Sequence, residues 1–291
     1  MLGLTRGKVK LFPHEMAWEI AAKKTIETLK NICGDVVCDI AHVGSTSVKN
    51  IVAKPIIDIA VTTENFDDFL KYEKKLLEKG FYYCPDDKNS KQLLFSCGSY
   101  YDGSDDKQTH FIHVVKKDSM EWINYNLFRD YLNENESAAK EYEALKISLA
   151  EKYGDDREKY TAGKHEFITK TLRTALVKFY LGKTVTIEID RPIGTPHPKH
   201  PEIIYPINYG YIPNVFGGDG EELDVYILGI DERIEEGDRT VAKIIGIVYR
   251  KNDVEDKLVA APEGMEYTPK QIEEIINFQE QYYDSHVEMT K

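Results

Sequence analysis

One stretch in the last third of the chain carries side chains that could hold both a metal ion and a phosphate. It reads Tyr205-Pro-Ile-Asn-Tyr-Gly-Tyr-Ile-Pro213, and Asp219-Gly-Glu-Glu-Leu-Asp224 follows it. The carboxylates of Asp219, Glu221 and Asp224 therefore come soon after a turn that is rich in tyrosine. Oxygen ligands suit a hard divalent cation, Mg²⁺ above all, and such a cation commonly holds phosphate. The spacing predicts a site for phosphoryl chemistry.

Other polar side chains of the same region could complete this site. Arg191 follows a β-branched stretch, Lys257 precedes an apolar one, and Tyr282 lies near the end of the chain. Cleavage of a phosphoanhydride needs carboxylates for metal ions, cations for the phosphates, and donors such as tyrosine that position oxygens. The region contains all three kinds, and acids between Asp253 and Asp256 are further candidates for holding metal ions.

A second cluster lies in the first half of the chain. It consists of His42-Val-Gly-Ser-Thr-Ser47, Lys54-Pro-Ile-Ile-Asp58 and His110-Phe-Ile-His113. Nucleotidyltransferases build their sites from a strand, a Gly-Ser turn whose amides hold a phosphate, and an acid on the next strand that holds Mg²⁺. The candidate phosphate-binding residues are His42, Gly44, Ser45, Lys54 and His113, and the candidate metal ligand is Asp58.

The reaction of this second cluster stays open at the level of the sequence. Nucleotidyltransferases usually carry two acids in an Asp-x-Asp pattern, but Ala60 stands at the second position. A single acid bridges two metal ions poorly, so either a histidine such as His113 completes the site or the chemistry is reduced. Nucleotidyl transfer, binding of a nucleotide or phosphate without transfer, and a purely structural role are the three alternatives.

The pattern of apolar residues predicts a mixed α/β unit around the second cluster. We expect strands at residues 36–43 and 56–61, three short strands near residues 81, 93 and 111, and a polar hairpin tip at 99–107. Helices are predicted at residues 13–32, 66–79, 120–132, 137–153 and 156–180, and Gly182 is a good helix stop.

After Gly182 the sequence becomes rich in β-branched residues and in proline. Strands are predicted at residues 184–189, 225–228, 239–249 and 257–261, with a proline-rich segment between the first two. One closing helix is predicted at residues 268–283, with Thr268 as its cap and Pro269 in its first turn. We therefore expect two domains, residues 1–180 and 181–291.

Composition limits the classes of partner. The 291 residues carry a net charge of −12, which argues against a general affinity for nucleic acid or an anionic membrane. The sequence shows no signal peptide and no apolar run near the roughly 20 residues that span a bilayer, so we expect a cytoplasmic protein with reduced cysteines. A homo-oligomer is left open.

The motifs of the last third resemble one known family. Tyr-Pro-x-Asn-Tyr-Gly-Tyr-Ile, Asp-Gly-x-x-Leu-Asp-Val and Lys-Leu-Val-Ala-x-Pro occur in this order, and residues 183–284 look like a short branch of the soluble family I inorganic pyrophosphatases. The resemblance implies a small OB-like β-barrel with a C-terminal helix, and Mg²⁺, or Mn²⁺ in its place, as cofactor. It implies metal ligands among Asp219, Asp224, Asp253 and Asp256, water activation by Glu221, and phosphate binding by Arg191, Tyr209, Lys257 and Tyr282.

The region departs from that family in four ways. Glu221 stands where the family carries an aspartate that activates the attacking water. Most of the first hairpin, with its phosphate-binding lysine, is absent; the second acidic loop is two residues shorter; and Tyr283 stands where a second lysine is expected. His197, Lys199 and His200, in the proline-rich segment, could replace the lost positive charge. A site opened in this way could also take a larger nucleoside or CoA-related diphosphate.

The motifs of the first half resemble a second family. His-Val-Gly-Ser-Thr-Ser-Val, Lys-Pro-Ile-Ile-Asp-Ile and Thr-His-Phe-Ile-His-Val-Val are similar to those of the GrpB family, over residues 8–174. That resemblance implies a nucleotidyltransferase-like α/β (α+β) fold, and some members are fused to dephospho-CoA kinase. We expect pyrophosphate or a nucleotide as the small-molecule substrate. The alternative is a phosphate-sensing protein built from two degenerate catalytic folds.

Overall fold

A computed structural model of the protein describes residues 1–85, 91–217, 220–253 and 255–289. The chain divides into two units, Met1–Thr171 and Leu172–Lys291. The division lies inside the helix His165–Tyr180, before the boundary predicted at residue 180. The end of the helix belongs to the second unit, where Arg173 pairs with Asp256.

A sheet of five strands forms the centre of the first unit in the part that the structure describes. The strands of this unit are β1 (Leu4–Thr5), β2 (Ile40–Val43), β3 (Ile57–Thr63), β4 (Tyr82–Tyr83), β5 (Gln92–Cys97), β6 (Lys107–Gln108) and β7 (His110–Lys116). The order in the sheet is β2-β3-β7-β5-β4; β3 and β7 run parallel, and the other neighbours are antiparallel. The two remaining short strands, β1 and β6, pair with each other.

The central strand β3 explains where the polar cluster of this unit lies. Its side chains are buried except for Asp58, and Ile59 and Val61 pack in one core with Trp18 and Leu29. A strand covered on both faces needs such a continuous apolar run. Asp58, at the start of the strand, is therefore an acid at the edge of an apolar core.

Helices cover this sheet. They are α1 (Met16–Cys33), α2 (Phe66–Leu70), α3 (Glu73–Leu77), α4 (Ser99–Asp102), α5 (Met120–Glu134), α6 (Glu136–Lys152), α7 (Arg157–Ala162) and α8 (His165–Tyr180), with a short 3₁₀ turn at Ser45–Ser47. In the described part of the chain, no helix has the length and apolar character needed to cross a membrane.

Two predicted helices are wrong as single elements. The one at residues 66–79 is α2 followed by α3, and the one at 156–180 is α7 followed by α8. Glycine weakens a helix, and Gly163 lies where α7 ends; a methyl group there would come 2.5 Å from Leu149 Cδ2. Close packing against Leu149 of α6 thus favours glycine at position 163, and the same glycine ends α7. The predicted hairpin tip at 99–107 contains the short helix α4.

The second unit is a closed barrel with a helix. Its elements are β8 (Thr184–Arg191), β9 (Asn208–Phe216), β10 (Glu222–Ile227), β11 (Arg239–Arg250), β12 (Lys257–Ala261), α9 (Pro269–Glu280) and β13 (Ser285–Met289). Among the described residues, strands β8 to β12 close into a barrel because β12 pairs with both β10 and β11, and β13 extends the sheet beside β11. The predicted capping of the last helix by Thr268 and Pro269 is confirmed.

Gly210 fixes the contact between β8 and β9. A methyl group on Gly210 would overlap the carbonyl oxygen of Glu188, so the two strands approach this closely only with glycine. The pairing then shifts register between Ile189 and Arg191. This bulge leaves Asp190 outside the ladder, and bulges of this kind re-aim side chains near functional sites.

We expect Gly210→Ala to lower the free energy of unfolding by about 2 kcal/mol or more, because the new methyl group must push β8 away. Gly246→Ala is the matched control, since its methyl group would meet Glu288 at an ordinary 3.4 Å. It should change stability by less than about 1 kcal/mol. Equal losses in urea unfolding of the two variants would contradict this account of Gly210.

Asp256 anchors the end of α8 to the barrel. Its Oδ2 accepts a hydrogen bond from Arg173 Nε at 2.7 Å, and its Oδ1 accepts from Arg173 Nη2 and from the Arg250 amide at 3.1 Å. Its side chain is only 4% exposed. In this structure both carboxylate oxygens of Asp256 serve a buried ion pair, and its role as a metal ligand stays a prediction.

We expect Asp256→Ala to cost about 3 kcal/mol of stability, because it leaves a largely buried arginine without its partner. Asp284→Ala is the control, since Asp284 pairs with Lys251 at the surface and both side chains are more than half exposed. That change should cost less than about 1 kcal/mol. Thermal unfolding of both variants measures the difference, and a negligible loss for Asp256→Ala would rule out the anchoring role.

Candidate functional site

A cavity of ≈ 520 Å³ lies in the barrel unit. Among the described residues, five carboxylates line it, from β8, the proline-rich segment, β10 and the loop before β12: Asp190, Glu202, Asp224, Asp253 and Glu255. Of the residues predicted from the sequence, the cavity brings together Asp224, Arg191, Tyr209, Lys257, Tyr282 and Asp253. These side chains come from separate strands and from the C-terminal helix region, so barrel closure gathers them.

The ammonium group of Lys257 is the centre of the cavity wall. It donates to the Tyr209 hydroxyl at 2.7 Å, to Glu255 Oε2 at 2.9 Å and to Asp224 Oδ2. The parallel pairing of β10 with β12 places Val225 opposite Leu258, so the residues just before them, Asp224 and Lys257, are neighbours. The Lys257 side chain is 3% exposed, so its nitrogen is buried together with the three groups that accept its hydrogen bonds.

The two carboxylates on Lys257 differ in their protonation. Burial, with a contribution from Asp224, raises the pKa of Glu255 to about 8 despite the nearby ammonium. Burial also acts against ionised Asp224, but the charge of Lys257 and the hydrogen bonds from Glu255 and Lys257 lower the pKa of Asp224. At neutral pH, Glu255 therefore carries the proton and Asp224 the negative charge.

A second acid–base pair lies at the bulge of β8. Arg191 binds the Asp190 carboxylate, and burial raises the pKa of Asp190 in spite of that charge. Sequence reasoning did not select Asp190, although its neighbour Arg191 was selected. The signal is the break in strand pairing at this position, which only the register of β8 against β9 reveals.

Arg250 is a second residue of the cavity lining, besides Asp190, that sequence reasoning missed. It ends β11, its side chain is 1% exposed, and it donates to Glu280 Oε1 at 2.5 Å and to Asp253 Oδ2 at 3.0 Å. Its guanidinium lies 3.7 Å from the centre of the Tyr283 ring. Tyr283, where a lysine was expected, thus sits against a positive charge at the cavity wall. A charged residue at the end of a long apolar strand was the available signal.

The proline-rich segment also reaches the cavity. His197, Lys199 and His200 line it, and the His197 ring stacks on Tyr205 with a centroid separation of 6.2 Å. Tyr282 also lines the cavity and is 59% exposed. Basic groups of this segment therefore face the same space as Arg191.

Two predicted residues cannot be placed in the cavity. Glu221, an exposed residue before β10, is not among the described residues that line it. Asp219 lies outside the described residues. Among the residues that are described, no three His, Cys, Asp or Glu side chains converge to hold a metal ion. The oxygen-rich lining still suits a hard cation by its chemistry, and burial, with a contribution from Asp224, raises the pKa of Glu255 there.

The second predicted cluster forms around Asp58 in the first unit. His113 Nε2 lies 3.2 Å from Asp58 Oδ1, and a methyl group on Gly44 would lie 2.5 Å from Asp58 Oδ2. Burial alone would raise the pKa of Asp58, but the hydrogen bond from His113 and the nearby positive charges lower it. Gly44, with φ of 71°, therefore allows the Ser45 turn to pass directly over the acid.

The remaining residues of this cluster contact the turn or lie near it. His42 Nε2 contacts Thr46 Oγ1 at 2.9 Å, and burial lowers the pKa of His42 to about 4, so it is neutral. Ser45 Oγ lies 3.3 Å from the Tyr142 hydroxyl. The ammonium of Lys54 lies 5.1 Å from the centre of the Tyr160 ring. The structure therefore places all six predicted residues of the cluster in one region.

Comparison with known proteins gives a separate result for each unit. The family model "Inorganic pyrophosphatase" matches residues 159–288, so the second unit is an inorganic pyrophosphatase domain. An inorganic pyrophosphatase of Neisseria gonorrhoeae is among the solved structures found, at 24% identity and a TM-score of 0.30, over 35% of this chain and 74% of that one.

The first unit matches the family model "GrpB protein" over residues 8–174. The "Glutamate-rich protein GrpB" of Alkalihalophilus pseudofirmus is 39% identical over 59% of this chain and 98% of its own length. The crystal structure of GrpB from Enterococcus faecalis, 30% identical, covers 59% of this chain and 99% of that one with a TM-score of 0.54. The match spans more than half of the sequence, and the chain belongs to the GrpB family.

Proposed function

We propose that the barrel unit hydrolyses inorganic pyrophosphate with Mg²⁺, or Mn²⁺, as cofactor. The observation that carries the proposal is the Lys257 ammonium, held between Asp224, Glu255 and Tyr209 in a cavity that Arg191 also lines. Cations, carboxylates and phenols that face one space are what hydrolysis of a phosphoanhydride requires. The match of residues 159–288 to the inorganic pyrophosphatase family supports the same reaction.

The chain's own residues have distinct roles in this proposal. Asp224, Asp253 and Asp190 would hold the divalent cation, which neutralises phosphate charge and makes water a better nucleophile. Arg191 and Lys257 bind phosphate oxygens, and the Tyr209 and Tyr282 hydroxyls orient them. Glu255 holds a proton at neutral pH beside Lys257. Activation of water by Glu221 stays a prediction from the sequence, since Glu221 is not among the described residues that line the cavity.

We expect Asp224→Asn to lower phosphate release from pyrophosphate by about 10²–10³-fold, because it removes the one ionised carboxylate on Lys257. Asp284→Asn, at the surface and outside the cavity lining, should leave the rate unchanged. Released phosphate is measured with Mg²⁺ and then with Mn²⁺. No release by the wild type, or full release by Asp224→Asn, refutes the proposal and favours a binding protein without turnover.

The cavity volume favours a second candidate substrate. Cavities of about 300–1,000 Å³ typically bury ligands much larger than pyrophosphate, and this one has ≈ 520 Å³. Histidines and a lysine of the proline-rich segment could contact the added group. The larger diphosphate would be a nucleoside or CoA-related compound.

If the larger diphosphate is the substrate, kcat/KM for ADP should exceed that for pyrophosphate. Lys199→Ala should then lower kcat/KM for ADP by about tenfold and leave pyrophosphate hydrolysis nearly unchanged, because one charged hydrogen bond is lost. Lys251→Ala, which changes an exposed lysine outside the cavity lining, is the control. A preference for pyrophosphate that Lys199→Ala does not alter would eliminate this candidate.

The two units also suggest a joint role. Nucleotidyl transfer by the first unit would release pyrophosphate, and a tethered pyrophosphatase would remove it and pull the transfer forward. This linkage depends on turnover in the first unit, whose cluster contains one acid, Asp58, on β3 and buried Ala60 two residues later.

A further inference from the structure

A concentration of positive charge lies in the first unit, in a chain whose net charge is −12. Lys54 and Lys164 both place their ammonium groups near the Tyr160 ring, at 5.1 and 5.0 Å from its centre. Arg157, at the start of α7, lies 4.9 Å from the centre of the Phe111 ring, beside Asp58 on the neighbouring strand. These three side chains define the basic cluster.

The basic cluster is not balanced by acids. Among the described residues, no carboxylate lies within the 4.0 Å ion-pair distance of Lys54, Arg157 or Lys164. The hydrogen bond found for the Arg157 guanidinium goes to a neutral group, Gln108 Oε1, at 2.5 Å. Lys54, Arg157 and Lys164 therefore outnumber the one acid near all three, Asp58, in the described part of the chain.

The surroundings make this imbalance costly for the fold. Burial is the largest cause that lowers the pKa of Lys54, to about 7, and the charges of Arg157 and Lys164 add to it. Burial likewise lowers the pKa of Lys164. Buried charges without partners destabilise a protein, so a cluster of this kind is typical of a site whose ligand supplies the missing charge.

The cluster remains open to a ligand. Lys54, Arg157 and Lys164 are each partly exposed, and the Asp58 side chain beside them is 30% exposed, so solvent reaches the cluster. Because basic groups outnumber acids here, an anion with more than one negative charge matches the cluster better than a single carboxylate does. The Arg157 fork and the two lysines are the donors that proteins use for phosphate oxygens.

We propose that the first unit binds the phosphate chain of a small polyphosphate through Lys54, Arg157 and Lys164, independently of the barrel cavity. Lys164 and Arg157 lie at the loop after α7 and at its start, and Lys54 lies just before β3, so α7 and the sheet edge form the site together. The phosphate chain can belong to free tripolyphosphate or to a nucleoside triphosphate, and both present the same end group.

The test is calorimetric titration of the full chain with tripolyphosphate, in EDTA so that metal-dependent hydrolysis does not proceed. The wild type should bind. Lys54→Gln and Lys164→Gln should each weaken binding by about 10–100-fold, as expected for a lost charged hydrogen bond. Lys24→Gln, an exposed lysine on α1, should bind as the wild type does.

A parallel titration separates the site from the barrel. If Lys257→Gln abolishes tripolyphosphate binding while Lys54→Gln and Lys164→Gln do not weaken it, the anion binds in the barrel and the proposal is wrong. Equal affinity for ATP and tripolyphosphate would show that the phosphate chain alone is recognised. Tighter binding of ATP, weakened by the same lysine variants, would show that the nucleoside contributes as well.

Thermal unfolding without ligand gives a second readout. Because an uncompensated buried cation opposes folding, Lys164→Gln should unfold at the same temperature as the wild type or higher, and should lose the stabilisation that tripolyphosphate gives the wild type. A lower unfolding temperature with unchanged ligand stabilisation would instead show that the lysine serves the fold.

Discussion

The barrel unit depends on one buried ammonium group. Lys257 joins Asp224 on β10, Glu255 before β12 and Tyr209 on β9, so three segments of the chain meet at a single nitrogen. Burying one charge alone is strongly unfavourable, whereas a charge with satisfied partners is tolerated. The same nitrogen that completes the wall is also the group a phosphate would meet, so the requirements of fold and of chemistry coincide there.

The two units treat buried charge in opposite ways. In the barrel, Arg250 is enclosed by Glu280 and Asp253 and packs on Tyr283, so its charge is satisfied within the protein. In the first unit, Lys54 and Lys164 share an aromatic ring and no carboxylate lies within ion-pair distance among the described residues. The ion pairs of Arg250 stabilise the barrel. The positive groups of Lys54 and Lys164 can instead be neutralised by a bound anion, as the proposed polyphosphate site requires.

The sequence predicted those features that depend on local pattern. Strand β12 has its predicted bounds, and Asp224 and Lys257 were selected from their place beside apolar runs. Features that depend on distant pairing were missed. Asp190 lines the cavity where β8 bulges against β9, and the ion pair of Asp256 was not foreseen because its partner Arg173 lies 83 positions away. The break at Gly163 followed from packing against Leu149, which apolar periodicity along one helix does not reveal.

The proline-rich wall of the cavity has a consequence for selectivity. Prolines at positions 192, 196, 198, 201 and 206 fix their own backbone angles, so the segment between β8 and β9 loses little chain entropy when it takes its folded shape. A segment of this kind is expected to change its conformation little when a ligand binds, and to adapt little to a larger ligand. If the barrel acts on a diphosphate as proposed, this segment would select its substrate by the shape of the molecule more than by adapting to it.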